Sequence, residues 1–180
     1  MAVKTFTTGS VLTAADTNTY LANGGLVYVT QVTIGSGVSS VAISNCFSAT
    51  YDSYKIVVSG GSPSANSFIS LQLGASSTAY YQARMGVVYG GSFTSGSDSN
   101  TSRWTAVGSS LTTGLGAEIT LNNPFLAKYT FYSGNYAATD SGIVTSGVHQ
   151  QAVSYTDCTL YAGSGTWSGG TITVYGYRKA

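Results

Sequence analysis

The chain has 180 residues and a mass of 18.5 kDa, enough for one domain that buries a core without help from metals or disulfides. Charged residues make up 7%, against about 25% in an ordinary soluble domain, and with a net charge of +1 nothing suggests nucleic acid or anionic membranes as partners. Ser, Thr, Gly, Asn and Tyr fill the deficit, with 23 Gly and 14 Tyr, so solvation comes from hydroxyls, amides and backbone. Antibody paratopes use the same means to combine rigid aromatic area with adaptable hydrogen bonding.

The first 25 residues stand apart. Thr13 as N-cap and Asp16 at the third helical position form a T-x-x-D variant of the capping box, and Asn23-Gly24-Gly25 ends the pattern, which predicts a short helix over 13–22. So short a helix is unstable alone, and Leu12, Tyr20 and Leu21 must dock on something. They either plug one end of the remaining domain or seat on another chain. The organisation expected is a docking segment over 1–25 and a β domain over 26–180. No apolar run approaches the ~18 residues of a membrane helix, and the opening MAVKTFTTGSV lacks a secretory core. The expectation is a soluble product of the cytoplasm that inserts in no membrane.

From Leu26 onward, period-two alternation dominates. Strands are expected over 26–34 and 38–44, joined as a hairpin by Gly35-Ser36-Gly37. The stretch FSATYDSYKIVVSGG is the clearest: Tyr51-Asp52-Ser53 turns, then Tyr54, Ile56 and Val58 point to one side, and a Gly pair stops the strand. Pro63 marks a turn. In 67–74, Ile69, Leu71 and Leu73 face inward, and in 80–89 Tyr81, Ala83, Met85, Val87 and Tyr89 are expected to do the same, leaving Gln82 and Arg84 outside. Residues 90–101, GGSFTSGSDSNT, read as a long polar loop. Further strands are expected over 102–107, 116–122, 125–132, 143–149, 156–162 and 170–178. Roughly ten or eleven short strands separated by turn signals favour an all-β, antiparallel β-sandwich of jelly-roll type with one short N-terminal helix.

Three segments, GSVLTAADTNTYL, YDSYKIVVSGG and GGTITVYGYRKA, resemble segments of small phage virion proteins. The opening GSVLTAADTNTYL is similar to a G-x-[VL]-L-T-A-x-D-x-N-T-Y-L segment that precedes a β-rich region in many of them, and YDSYKIVVSGG and the terminal GGTITVYGYRKA resemble stretches of tail-fibre and tip-like domains. Members of this diverse group are described as tail fibre, minor tail or decoration proteins. The resemblance implies a virion component, displayed on the particle and contacting other virion proteins through its N-terminal segment. It also implies a homotrimer and, as one role, attachment to a host-surface glycan. It brings no catalytic motif.

A catalytic constellation is not legible. The acids Asp16, Asp52, Asp98, Glu118, Asp140 and Asp157 are scattered one to a segment, and a glycan-cleaving spike domain would need two of them to converge. His149 is the only histidine and reads as a hydrogen-bonded core or interface residue without ligand partners, so no metal or cofactor is expected. Cys46 and Cys158 match no metal spacing, and two thiols in a long chain are more often small buried hydrophobes than a bridge. Asp98-Ser99-Asn100 lacks the Gly and distal Glu of a calcium loop. The better lead is aromatic: Trp167 lies in a Gly-rich stretch, Trp104 follows the polar loop and Tyr136 occupies a loop expected over 134–140. Gathered at one end of the domain, these three would make a stacking platform for a sugar, with Asp98 and Asn100 as hydrogen-bonding groups, although a Trp in such a loop more often folds back over the core. Such a platform would also suit a free carbohydrate-binding module. In 171–178, Ile172, Val174 and Gly176 suit the core, which leaves Tyr175 and Tyr177 on the other face as candidates, with the N-terminal segment, for an oligomer interface.

Overall fold

The structure, a computed structural model, describes residues 7–11, 13 and 25–179. The expected helix, apart from Thr13, and the docking residues Leu12, Tyr20 and Leu21 lie outside the described residues. Within them the chain is all-β, with no helix and fourteen strands. These are β1 (Leu26–Thr33), β2 (Ser40–Ile43), β3 (Ser53–Gly60), β4 (Ser62–Pro63), β5 (Ser67–Leu73), β6 (Tyr80–Val88) and β7 (Phe93–Thr101). They continue as β8 (Trp104–Leu111), β9 (Gly114–Asn122), β10 (Thr130–Ala137), β11 (Ser141–His149), β12 (Cys158–Ala162), β13 (Trp167–Ser168) and β14 (Thr171–Tyr177).

Every pairing is antiparallel, and β9 is the branch point. One edge of β9 pairs with β3 along its length, from Ser53↔Asn122 to Gly60↔Leu115. Its other edge is divided: Gly114–Gly116 pair with β8, and Glu118–Asn122 pair with β10. One arm therefore runs β8-β5-β12-β2, a second runs β10-β11-β6-β7, and the β3 side continues through β14 to β1. The buried faces of the β3 side and of the β8 arm meet in one cluster. Tyr54, Ile56, Ile119, Leu121, Ile172 and Val174 pack in it with Ile43, Ile69, Leu71, Leu73, Trp104 and Leu160. Alternation explains why these strands form: in β3 the residues that alternate inward, Tyr54, Ile56 and Val58, are at most 2% exposed.

Four readings change in the structure. Residues 93–101 are not a loop but β7, an edge strand hydrogen-bonded to β6. Beyond Phe93 its side chains are small or polar because an edge needs only backbone bonds from one neighbour, and the turn before it closes through Val88 N to Ser92 O at 2.8 Å with Gly91 at φ 93. In β6 the two faces are exchanged: Gln82 is 4% exposed, whereas Met85, Val87 and Tyr89 are 43% exposed or more. A clamp of amide hydrogen bonds, described below, outweighs the apolar alternation. The strand expected from Phe125 begins instead at Thr130, because Asn123 adopts φ 65 and Leu126 N bonds back to Asn123 O. Gly35-Ser36-Gly37 closes no hairpin: β1 pairs with β14 and β2 with β12, so this segment crosses from one arm to another. Val38 and Trp167 exchange both backbone bonds, at 3.0 and 2.8 Å, and Gly169 N donates to Gly35 O, which holds the crossover in place.

Candidate functional site

The five residues read as a ligand platform do not assemble into one. Trp104 and Trp167 are both 0% exposed. Trp104, on β8, packs against Tyr80, Tyr132 and His149 and donates its Nε1–H to Tyr81 O at 3.2 Å. Trp167, on the two-residue strand β13, donates to Ser110 Oγ at 3.0 Å, so its Gly-rich setting folds the ring inward. Tyr136 lies not on a loop but in β10, paired with Ile143, and is 7% exposed. Asn100 adopts φ 54 and accepts from Thr78 Oγ1 and Ala79 N, a turn-stabilising role. The inward placement of Trp167 is the outcome held to be commoner for a tryptophan in such a loop.

The described carboxylates are held separately. Asp98 accepts from Arg84 Nη1 at 3.1 Å and Thr105 Oγ1 at 2.6 Å. Asp52 pairs with Lys179 at 2.8 Å, and Glu118 pairs with Lys55. Asp157 accepts from Asn45 N at 2.6 Å, and Asp140 from Ser141 Oγ at 3.0 Å. Among the described residues no three His, Cys, Asp or Glu side chains are grouped to hold a metal ion.

Where β9 divides, β8 and β10 part, and the space beside Tyr136 stays open. On one side lies an open groove of ≈ 780 Å³ along Leu115, Ala117, Glu118 and Val144. On the other is a tighter cavity of ≈ 240 Å³ lined by Phe68, Arg84, Thr94, Tyr136, Asp140 and Ile143, among others. This second cavity has the more selective chemistry. Phe68 is 41% exposed, its ring centroid is 5.8 Å from that of Tyr136, and the Arg84 guanidinium lies 5.9 Å from it on the Asp98 salt bridge. The Tyr136 hydroxyl is buried without a hydrogen-bond partner among the described residues, and burial raises its pKa, so the phenol stays neutral and able to donate. An aromatic wall, a guanidinium and the Asp140 carboxylate suit a small, neutral, hydroxyl-rich ring. The volume is below the range of about 300–1,000 Å³ typical of drug-sized ligands. Of the residues named from sequence, Tyr136 lines this cavity and Asp98 orients its arginine. Phe68 and Arg84 carried no signal, since each reads as one residue of an ordinary strand.

His149, on β11, is fully buried and bonded, as its strand context implied. Gln151 N donates to Nδ1 at 3.3 Å, which leaves the ring proton on Nε2 for Ser76 Oγ at 2.8 Å. Burial lowers its pKa from 6.5. Below about pH 6.5 the unfolded chain therefore takes up a proton that the folded chain resists. Thermal stability is expected to fall as pH drops from 7.5 to 5.5, with a slope that flattens in His149→Gln. A midpoint that is flat across this range in the parent chain contradicts the assignment.

The outer face of β14 is partly covered from within the chain. Gln31 Nε2 donates to Thr173 Oγ1 at 2.9 Å, and Tyr28 meets Tyr175 edge-on with centroids 6.4 Å apart. Tyr175 and Tyr177 are half-buried, on a strand that lies between β1 and β3. A second set of apolar side chains stands exposed on β6, β7 and β11, where Met85 is opposite Val144 and Val87 opposite Phe93.

No family model, curated protein or solved structure matches the chain.

Proposed function

We propose that the chain is a non-enzymatic phage virion component of the tail-fibre, minor tail or decoration type. In this reading it is a β-sandwich of jelly-roll type displayed on the particle and docked through its N-terminal segment. What supports it is where the resemblance falls. YDSYKIVVSGG supplies β3 and GGTITVYGYRKA supplies β14, and these strands are neighbours paired from Tyr54↔Gly176 to Ser59↔Thr171. The similar residues thus build the centre of the scaffold rather than a pocket. The segment that precedes Leu26 enters the fold through β1, beside β14. Antibody raised against the folded chain is expected to label purified intact particles, and particles that carry no label overturn the assignment.

The tyrosines on the outer face of β14 and the low charge of the chain support a homo-oligomer that uses Tyr175, Tyr177 and the N-terminal segment, and the resemblance supports a trimer. Light scattering on the full-length chain at micromolar concentration is expected to give a multiple of 18.5 kDa. A monomer there, unchanged by Tyr175→Ser with Tyr177→Ser, defeats the interface.

Attachment to a host-surface glycan is the role that the cavity beside Tyr136 favours, with a sugar ring stacked on Phe68 and Arg84 and Asp140 as polar contacts. Phe68→Ala is expected to lose glycan binding while its melting temperature stays within a few degrees of the parent. Unchanged binding rejects the cavity. A free carbohydrate-binding module would use the same cavity but leave particles unlabelled. A glycan-cleaving spike would instead degrade polysaccharide and lose that activity in Asp140→Ala or Asp98→Ala.

A further inference from the structure

Cys46 and Cys158 are 112 positions apart in sequence, yet their Sγ atoms lie 3.7 Å apart. The local chain explains why. Asn45, in the left-handed region at φ 53, turns the backbone out of β2 so that Cys46 folds back over the first residue of β12. Hydrogen bonds on both sides keep it there: Asn45 N donates to Asp157 Oδ1 at 2.6 Å, and Phe47 N donates to Thr156 O at 3.0 Å. The Asp157 carbonyl in turn accepts from Gly74 N at 2.9 Å, which ties the same corner to the end of β5. Both thiols are buried and free, and each is in van der Waals contact with the other. A disulfide bond is about 2.05 Å long, so small side-chain rotations close the remaining gap.

We propose that Cys46 and Cys158 form an intramolecular disulfide when the chain folds in the presence of an oxidising thiol–disulfide couple, and that the bond locks the β2 end to the start of β12. With oxidised glutathione as oxidant, the Cys46 thiol gives up its proton and attacks one reagent sulfur, expelling one glutathione thiolate. The Cys158 thiolate then attacks the Cys46 sulfur of the mixed disulfide and expels the second. Two protons and two electrons leave the chain, and one reagent disulfide becomes two thiols. Contact with Cys46, together with burial, holds the Cys158 thiol well above its usual range. Exchange in the intact fold is therefore slow, and the bond forms during folding or local opening of the 45–47 turn. This chemistry is the same whether or not the chain belongs to a virion.

The test is to refold the full-length chain in a reduced and oxidised glutathione mixture and, separately, under excess dithiothreitol. The glutathione sample is expected to lose about 2 Da and both alkylatable thiols, and to yield a peptide joining Cys46 to Cys158 while remaining free of cross-linked dimers. Because the bond closes a long loop, its melting midpoint should rise by on the order of 10 °C over the reduced chain. Cys46→Ser should show neither change, and Cys158→Ser serves equally if that variant misfolds. Two thiols still open to alkylation, a bond found only between chains, or an oxidised monomer that melts no higher than the reduced one each overturn the proposal.

Discussion

Trp104→Ala is expected to destabilise the fold by about 3–5 kcal/mol. The indole is fully buried, with its ring against Tyr80 at 5.1 Å and Tyr132 at 4.6 Å between centroids. The substitution opens a cavity between the β8 arm and the β10-β11-β6 arm, and it also leaves the Tyr81 carbonyl without its 3.2 Å donor. A urea titration should show the midpoint falling with little change in slope. Phe131→Ala, at a ring that is 46% exposed, provides the contrast and should cost a small fraction of this. If Trp104→Ala were to melt like the parent chain, the buried placement would be wrong and a surface stacking role would return.

Gln82→Ala is expected to cost about 2–4 kcal/mol, more than its size suggests, because it strips partners from backbone groups that stay buried. Gln82 Nε2 donates to Ala106 O at 3.1 Å, and its Oε1 accepts from Thr105 N at 2.9 Å and Ala106 N at 3.3 Å. The ladder between β8 and β9 covers only Ser109–Leu111, so the first half of β8 lacks a strand on that edge, and the Gln82 amide takes the place of one. Gln82→Met separates the two contributions: it restores volume but neither donor nor acceptor, so it should recover little stability. Hydrogen exchange at Thr105 and Ala106 should accelerate in both variants. Full recovery by methionine would show that packing, not the clamp, holds β6 to β8.

These two residues also show how far the sequence could be read. Alternation in 53–60, 67–73 and 171–177 identified strands and their buried faces correctly, because there both the backbone pattern and the burial follow one local rule, period two. The same rule inverted β6. Its apolar residues Met85 and Val87, with Tyr89 just past its end, face outward, and only the approach of β8 from more than twenty positions away makes Gln82 the inner residue. Segment 93–101 failed for a related reason: an edge strand is specified by the neighbour that pairs with it, and its own polar residues look like a loop.

Composition and periodicity by themselves determined that the described chain is all-β, that its core is aliphatic and aromatic, and that His149 and the two cysteines are interior residues. The tertiary structure decided what depends on distance between remote segments. It fixed the fork of β9, the cavity between Phe68 and Tyr136, the separate partner held by each described carboxylate, and the contact of Cys46 with Cys158. The physical reason is that alternation constrains each residue against its near neighbours, whereas strand order, and with it every site built from two arms, is set by long-range pairing that leaves no periodic mark along the chain.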